Sequence, residues 1–152
     1  MSSADSVSQN TQDFFNSYRV SVATGVSLAA TGNAVVTLPI LSGGLTQTTG
    51  AFILRNITVS NPANIAGGAV PNMAAANVTI LTSNDGNTSN AVTTAVGQTL
   101  TNVTAVNTWQ DLTLAAGMAT STVTSSALFL KVNASVANAS VMIGVYGTVV
   151  QF

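Results

Sequence analysis

The sequence predicts an all-β fold: a single jelly-roll-like β-sandwich of about eight antiparallel strands, with a polar N-terminal arm. The arm covers residues 1–16 and the sandwich 17–152. Three observations carry this reading. From Tyr18 onward apolar and polar residues alternate with period 2, and Val, Ile and Thr dominate the alternating runs. Turn-forming residues punctuate those runs. No segment has the 3.6-residue apolar period of a long helix.

Residues 1–13 are polar and aperiodic, as expected of a loose lead-in. "YRVSVAT" places Tyr18, Val20 and Val22 inward, with Arg19 and Ser21 outward. "NAVVTLPI" places Ala34, Val36 and Leu38 on one face, and Pro39 marks an edge strand or a strand end. "SGGLTQTTG" reads as a loop and "AFILRNITVS", 51–60, as the longest apolar strand of the first half. Residues 61–77, with Pro62, Pro71 and the Gly67–Gly68 pair, form one long irregular stretch of the kind that often carries function.

"NVTILTS" is the next strand, with Val78 and Ile80 in phase. Asn84–Gly86, "NDG", is the clearest tight-turn signal in the chain. "QTLTNVTAV" and "TWQDLTLAA" read as two further strands around Asn107. "ALFLKVNASV" points Leu128, Leu130, Val132, Ala134 and Val136 inward and Phe129, Lys131 and Asn133 outward. "ANAS" turns the chain back into the last strand, which is apolar on both phases: Val141, Ile143, Val145 and Val149 on one, Met142, Tyr146, Val150 and Phe152 on the other. A strand apolar on both faces is covered on both. The cover is either the chain's own arm or loop, or another subunit.

The composition excludes most chemistry. Charged residues are 5% of the 152-residue chain, against about 25% in ordinary domains. The cations are Arg19, Arg55 and Lys131, and the anions Asp5, Asp13, Asp85 and Asp111; His, Cys and Glu are absent. No catalytic residue is therefore expected: no imidazole activates a serine, and Lys131 lies on an outward phase. No cofactor is expected either, since neither Gly pair opens a phosphate-cradling helix. "SNDGNTSN", 83–90, offers one carboxylate among amide and hydroxyl oxygens, too little charge for a calcium site, so no metal is expected. Scattered cations do not neutralise phosphates, and no apolar run reaches the ~20 residues of a membrane span; nucleic acid and membrane are both expected non-partners. The N-terminus has no basic and apolar leader pattern, so no secretory signal is expected.

A net charge of −1 is below the magnitude of about 2–8 that keeps small domains apart in solution. Ser, Thr and Asn supply the hydration instead. This suits a subunit packed in an assembly, and equally a polar-neutral secreted surface. The Asn-X-Ser/Thr triplets at Asn56, Asn77, Asn87, Asn102, Asn133 and Asn138 are read as products of that composition. The lone Trp109 is expected to anchor the core or a corner; an exposed Trp109 would instead stack on a sugar ring.

Arg55 shares its phase in "AFILRNITVS" with Ile53, Ile57 and Val59. Three readings stay open. A β-bulge near Arg55–Asn56 shifts the phase and frees the cation to solvent. Arg55 points inward and pairs with Asp111, the candidate structural ion pair, or with Asp85. Or it faces a neighbouring subunit.

From Arg55 onward, "RNITVSNPAN", "VTILTSNDGN", "TWQDLTLAA" and "ALFLKVNASVANASVMIGVYGTVV" together resemble the small β-sandwich proteins found with head genes of tailed bacteriophages. The matching pattern is Leu128, Leu130 and Val132 in an L-x-L-x-V strand, the Ala137–Ala139 turn, and the Tyr146–Gly147 pair; it spans about residues 52–150. The resemblance implies a head decoration or cement protein, a non-enzymatic structural protein of the virion. It would be made in the host cytoplasm and sit on the outer capsid surface, frequently as a homotrimer, tying together subunits of the major capsid protein. Residues 1–17 have no counterpart in the resemblance. The candidate interface comprises Phe14, Phe15, Met142, Tyr146, Val150, Phe152 and Met73, drawn from the arm, the terminal strand and the 61–77 loop. The alternative is a carbohydrate-binding or adhesin-like jelly roll of a head or tail fibre, with Trp109 as its contact.

Overall fold

Period-2 runs rich in β-branched residues need a partner for every edge and a cover for every apolar face, and two sheets laid face to face supply both. A computed structural model describes residues 18–31, 35–39, 51–125 and 127–150. They form β1 (Tyr18–Ser27), β2 (Val35–Pro39), β3 (Ala51–Asn64), β4 (Asn77–Leu81), β5 (Gln98–Thr99), β6 (Trp109–Asp111), β7 (Thr122–Val123), β8 (Ala127–Ala134) and β9 (Ala139–Val150). The expected arm lies outside the described residues.

The larger sheet runs β1-β9-β3-β6, with β7 also on β3; the smaller runs β2-β8-β4-β5. Every pairing is antiparallel. With the short β7 set aside, each sheet has four strands, and the chain crosses repeatedly between them. That is jelly-roll wrapping, as the sequence predicts. Leu54, Ile57, Val59, Leu128, Leu130, Val141, Ile143 and Val145 fill the space between the sheets, and Leu28, Leu100 and Leu112 close its rims. Burying each such side chain contributes about 1.5–3 kcal/mol.

β8 alternates as expected, with Leu128, Leu130 and Val132 buried. The "NDG" turn also forms, with Gly86 at φ 72°. Among the described residues β2 lies at a sheet edge and carries Pro39, as suits a residue with no N–H to give a ladder. Ala34 and the side chains of Val36 and Leu38 lie outside the described residues.

Elsewhere the pattern is corrected by bulges. In β1 the register shifts between Arg19 and Ser21, so Val20 and Ser21 are both buried while Val22 is only half-buried. β3 does not end at Ser60 but continues to Asn64, carrying Asn61 at φ 48° and Pro62 through a second register shift between Ser60 and Ala63. A bulge tolerates a proline because its residues do not all donate to the ladder. The irregular stretch is thus shorter than 61–77. It also encloses a single 3₁₀ turn, Met73–Ala75, capped by the Asn72 side chain. The two strands expected around Asn107 shrink to β5 and β6, because the intervening chain is held by side chains rather than by a ladder. Gln98 and Gln110 each bond backbone groups across that gap.

Candidate functional site

The first bulge of β3 answers the question of Arg55. Phe52 and Leu54 face the core, the register against β9 then slips by one between Leu54 and Asn56, and Ile57 and Val59 resume the core phase. Arg55 is the extra residue and is exposed. Among the described residues no strand pairs with β3 beside it, between the stretch paired with β7 at Phe52–Ile53 and the stretch paired with β6 at Thr58–Ser60. Its Nε donates to Thr148 Oγ1 at 3.1 Å and its Nη1 to the Ala119 carbonyl at 3.5 Å. The Arg55–Asp111 ion pair is not made. A bulge had already turned the guanidinium outward, so no buried charge needs a carboxylate.

Asp111 serves elsewhere. On the outer face of the larger sheet, Asn56 Nδ2 donates to Thr58 Oγ1 at 3.2 Å, and Thr58 Oγ1 donates to Asp111 Oδ1 at 2.6 Å. Trp109 and Asp111 stand two residues apart on β6, so both share that face. Ladder register puts Trp109 opposite Ser60, which is opposite Met142, and puts Asp111 opposite Thr58, which is opposite Gly144. Tyr146 is opposite Asn56. Together Asn56, Thr58, Trp109, Asp111 and Tyr146 line an open groove of about 430 Å³.

Gly144 lies beneath the Tyr146 ring. A Cβ there would lie 3.0 Å from Tyr146 Cε2 and 3.2 Å from its hydroxyl oxygen. The tyrosine ring therefore lies down over the glycine and carries its hydroxyl toward the middle of the groove. Trp109, 60% exposed, stands on the β6 side. Its expected role as a core anchor is corrected: the carboxylate two residues on, in the same phase, belongs to a solvent face, and the indole goes with it. That shared phase is the signal in the sequence that points to the site. The Trp109 indole N–H and the Tyr146 hydroxyl make no hydrogen bond with the described residues.

The expected interface residues separate. Met142 and Tyr146 lie half-buried on the outer face of β9. Met73 is corrected: it is 0% exposed and belongs to the core, because its 3₁₀ turn directs the long flexible side chain inward. Phe14, Phe15 and Phe152 lie outside the described residues; Val150 pairs with Ala51, and its side chain is not described.

The outer face of the smaller sheet is arranged differently. Asn133 Nδ2 donates to Asn77 Oδ1 at 2.9 Å and to Thr79 Oγ1 at 2.8 Å. Lys131 Nζ donates to the Gly86 carbonyl at 2.9 Å. Asp85 is turned into its own loop: the Asn87 backbone N–H holds its carboxyl below the usual range, against desolvation, with Ser83 and Asn90 helping. Among the described residues no three His, Cys, Asp or Glu side chains gather as metal ligands. No helix among them is long and apolar enough to cross a membrane. Searches against protein families, curated proteins and solved structures return no match to this chain.

Proposed function

We propose that this chain is a non-enzymatic structural protein of a virion, a decoration or cement subunit that binds the outer surface of a phage head as a homotrimer and ties major capsid subunits together. The observation that carries the reading is a gathering of exposed apolar side chains at one end of the sandwich. β3 ends at Asn64 beside the start of β9, and the Ile65 N–H bonds the Asn138 carbonyl there. β6 pairs antiparallel with β3, so the chain preceding Trp109 projects toward that same end. Ile65, Val106 and Trp109 are 58%, 65% and 60% exposed. Apolar anchors in a charge-poor surround are what a capsid-gripping surface needs, since the fully buried centre of an interface excludes charge. The jelly roll is shared by capsid and lectin domains, so the fold alone does not choose between them.

The test is co-sedimentation of the purified chain with capsids that lack it, together with light scattering. Trimers and saturable capsid binding are expected, with binding lost in Ile65→Asp and Val106→Asp variants that keep the wild-type melting temperature. A monomer that fails to bind such capsids would overturn the proposal.

A further inference from the structure

The outer-face groove of the larger sheet holds Trp109 together with polar groups that an apolar capsid contact does not use. We infer that it is a binding site for a neutral saccharide. β6 and β9 flank β3, so the groove crosses two strand spacings, roughly 9–10 Å, and runs diagonally along the strands from Trp109, in the row of Ser60, to Tyr146, in the row of Asn56. Its two sides offer the two things a sugar needs. Trp109 presents an exposed apolar ring to the C–H face of a pyranose. On the β9 side, Tyr146 lies over Gly144 with its hydroxyl toward the groove.

Between them runs an oriented polar floor. Asn56 donates to Thr58, and Thr58 donates to Asp111 Oδ1. The relay locks the rotamers without exhausting them: Asp111 Oδ2 and Asn56 Oδ1 keep their acceptor capacity, and the Tyr146 hydroxyl and Trp109 N–H keep their donors. A site rich in fixed acceptors selects a ligand that carries several hydroxyl donors. The lining holds one carboxylate and no cation. It therefore repels phosphate, sulfate and sialic acid, which separates a neutral sugar from an acidic one.

The site shares Trp109 with the proposed capsid surface, but its test does not involve capsids, and the capsid test rests on Ile65 and Val106. Trp109 is the one tryptophan in the chain, so its emission reports the groove directly. The full chain is titrated with methyl hexopyranosides and neutral oligosaccharides, and screened on an array carrying neutral and acidic glycans. A saturable change in Trp109 emission with a neutral sugar is expected. Array binding should vanish in Trp109→Ala and weaken about tenfold in Asp111→Asn, in line with loss of a charge-assisted hydrogen bond. Both substitutions are at exposed positions, and an unchanged melting temperature verifies the fold. Because the titration uses the unaltered chain, it stands even if a variant misfolds. Absence of saturation with every neutral saccharide, retention of array binding in Trp109→Ala, or binding confined to acidic glycans would each overturn the inference.

Discussion

The two outer faces of the sandwich are made of the same residue types but spend their polar groups in opposite ways. On the smaller sheet, Asn133 bridges Asn77 and Thr79, the Lys131 ammonium is taken by the Gly86 carbonyl, and the turn at Gly97 folds down onto the Asn77–Asn133 pair. Thr79 is fully buried beneath this layer, and the Ile80 N–H is met by the Thr93 hydroxyl. On the larger sheet the Asn56–Thr58–Asp111 relay stays open at both ends and is flanked by two aromatic rings. A polar cluster whose groups bond one another holds a fold together. One that leaves directed groups over can recognise something else. In a chain with so little charge, that contrast locates the candidate site better than composition does.

The contrast makes graded predictions. The largest effect is expected at Gly97. Its φ is +78°, and a Cβ there would fall 2.0 Å from Asn77 Oδ1 and 2.4 Å from Asn133 Nδ2. Gly97→Ala therefore combines left-handed strain with overpacking of a locked pair and should cost about 2–4 kcal/mol, read by urea unfolding. A variant as stable as wild type would show that the face is not closed there.

Next come matched asparagine deletions on the two faces. Asn133→Ala strips Thr79, which has no access to water, of its donor, and should cost about 1–2 kcal/mol. Asn56→Ala removes one end of an open, solvated relay and should stay within about 0.5 kcal/mol. Equal losses at both positions would erase the distinction between a closed and an open face.

The smallest effect is pH dependence. Asp85 is exposed, and the Asn87 N–H holds its folded carboxyl below its ordinary value. Its contribution is present above that value and fades as pH falls through the lower folded one. With 4 acidic residues and no His, little else titrates. The melting temperature should be flat from about pH 5 to pH 8. It should drop only below about pH 4, and less so in Asp85→Asn. A marked transition near neutrality would contradict this.

Much of the fold was legible. The alternation in Ala127–Ala134 and the Asn84–Gly86 turn appear as expected, because each rests on contacts within a few residues. The phase of Ala51–Asn64 was not legible beyond Leu54. A bulge moves every following side chain to the other face, and what sets a bulge is the partner strand, which the local sequence does not name. The same cause hid the site. Trp109 and Asp111 are neighbours in one short strand, but Asn56, Thr58 and Tyr146 join them only through the register of β3 with β6 and β9. Met73 shows the converse. Its place in a Gly- and Pro-rich stretch suggested a surface loop, and one capped turn sends it into the core.

Composition and periodicity were sufficient for the all-β class, the two-sheet architecture and the scarcity of ionisable chemistry, since these depend on what residues are present and how they alternate. Long-range pairing was needed to learn that Arg55 is the extra residue of a bulge and not half of a buried ion pair. It was needed too for the open relay beneath Trp109 and Tyr146. Period 2 specifies that a strand has two faces, whereas the register between strands specifies which face each residue takes and what it meets there.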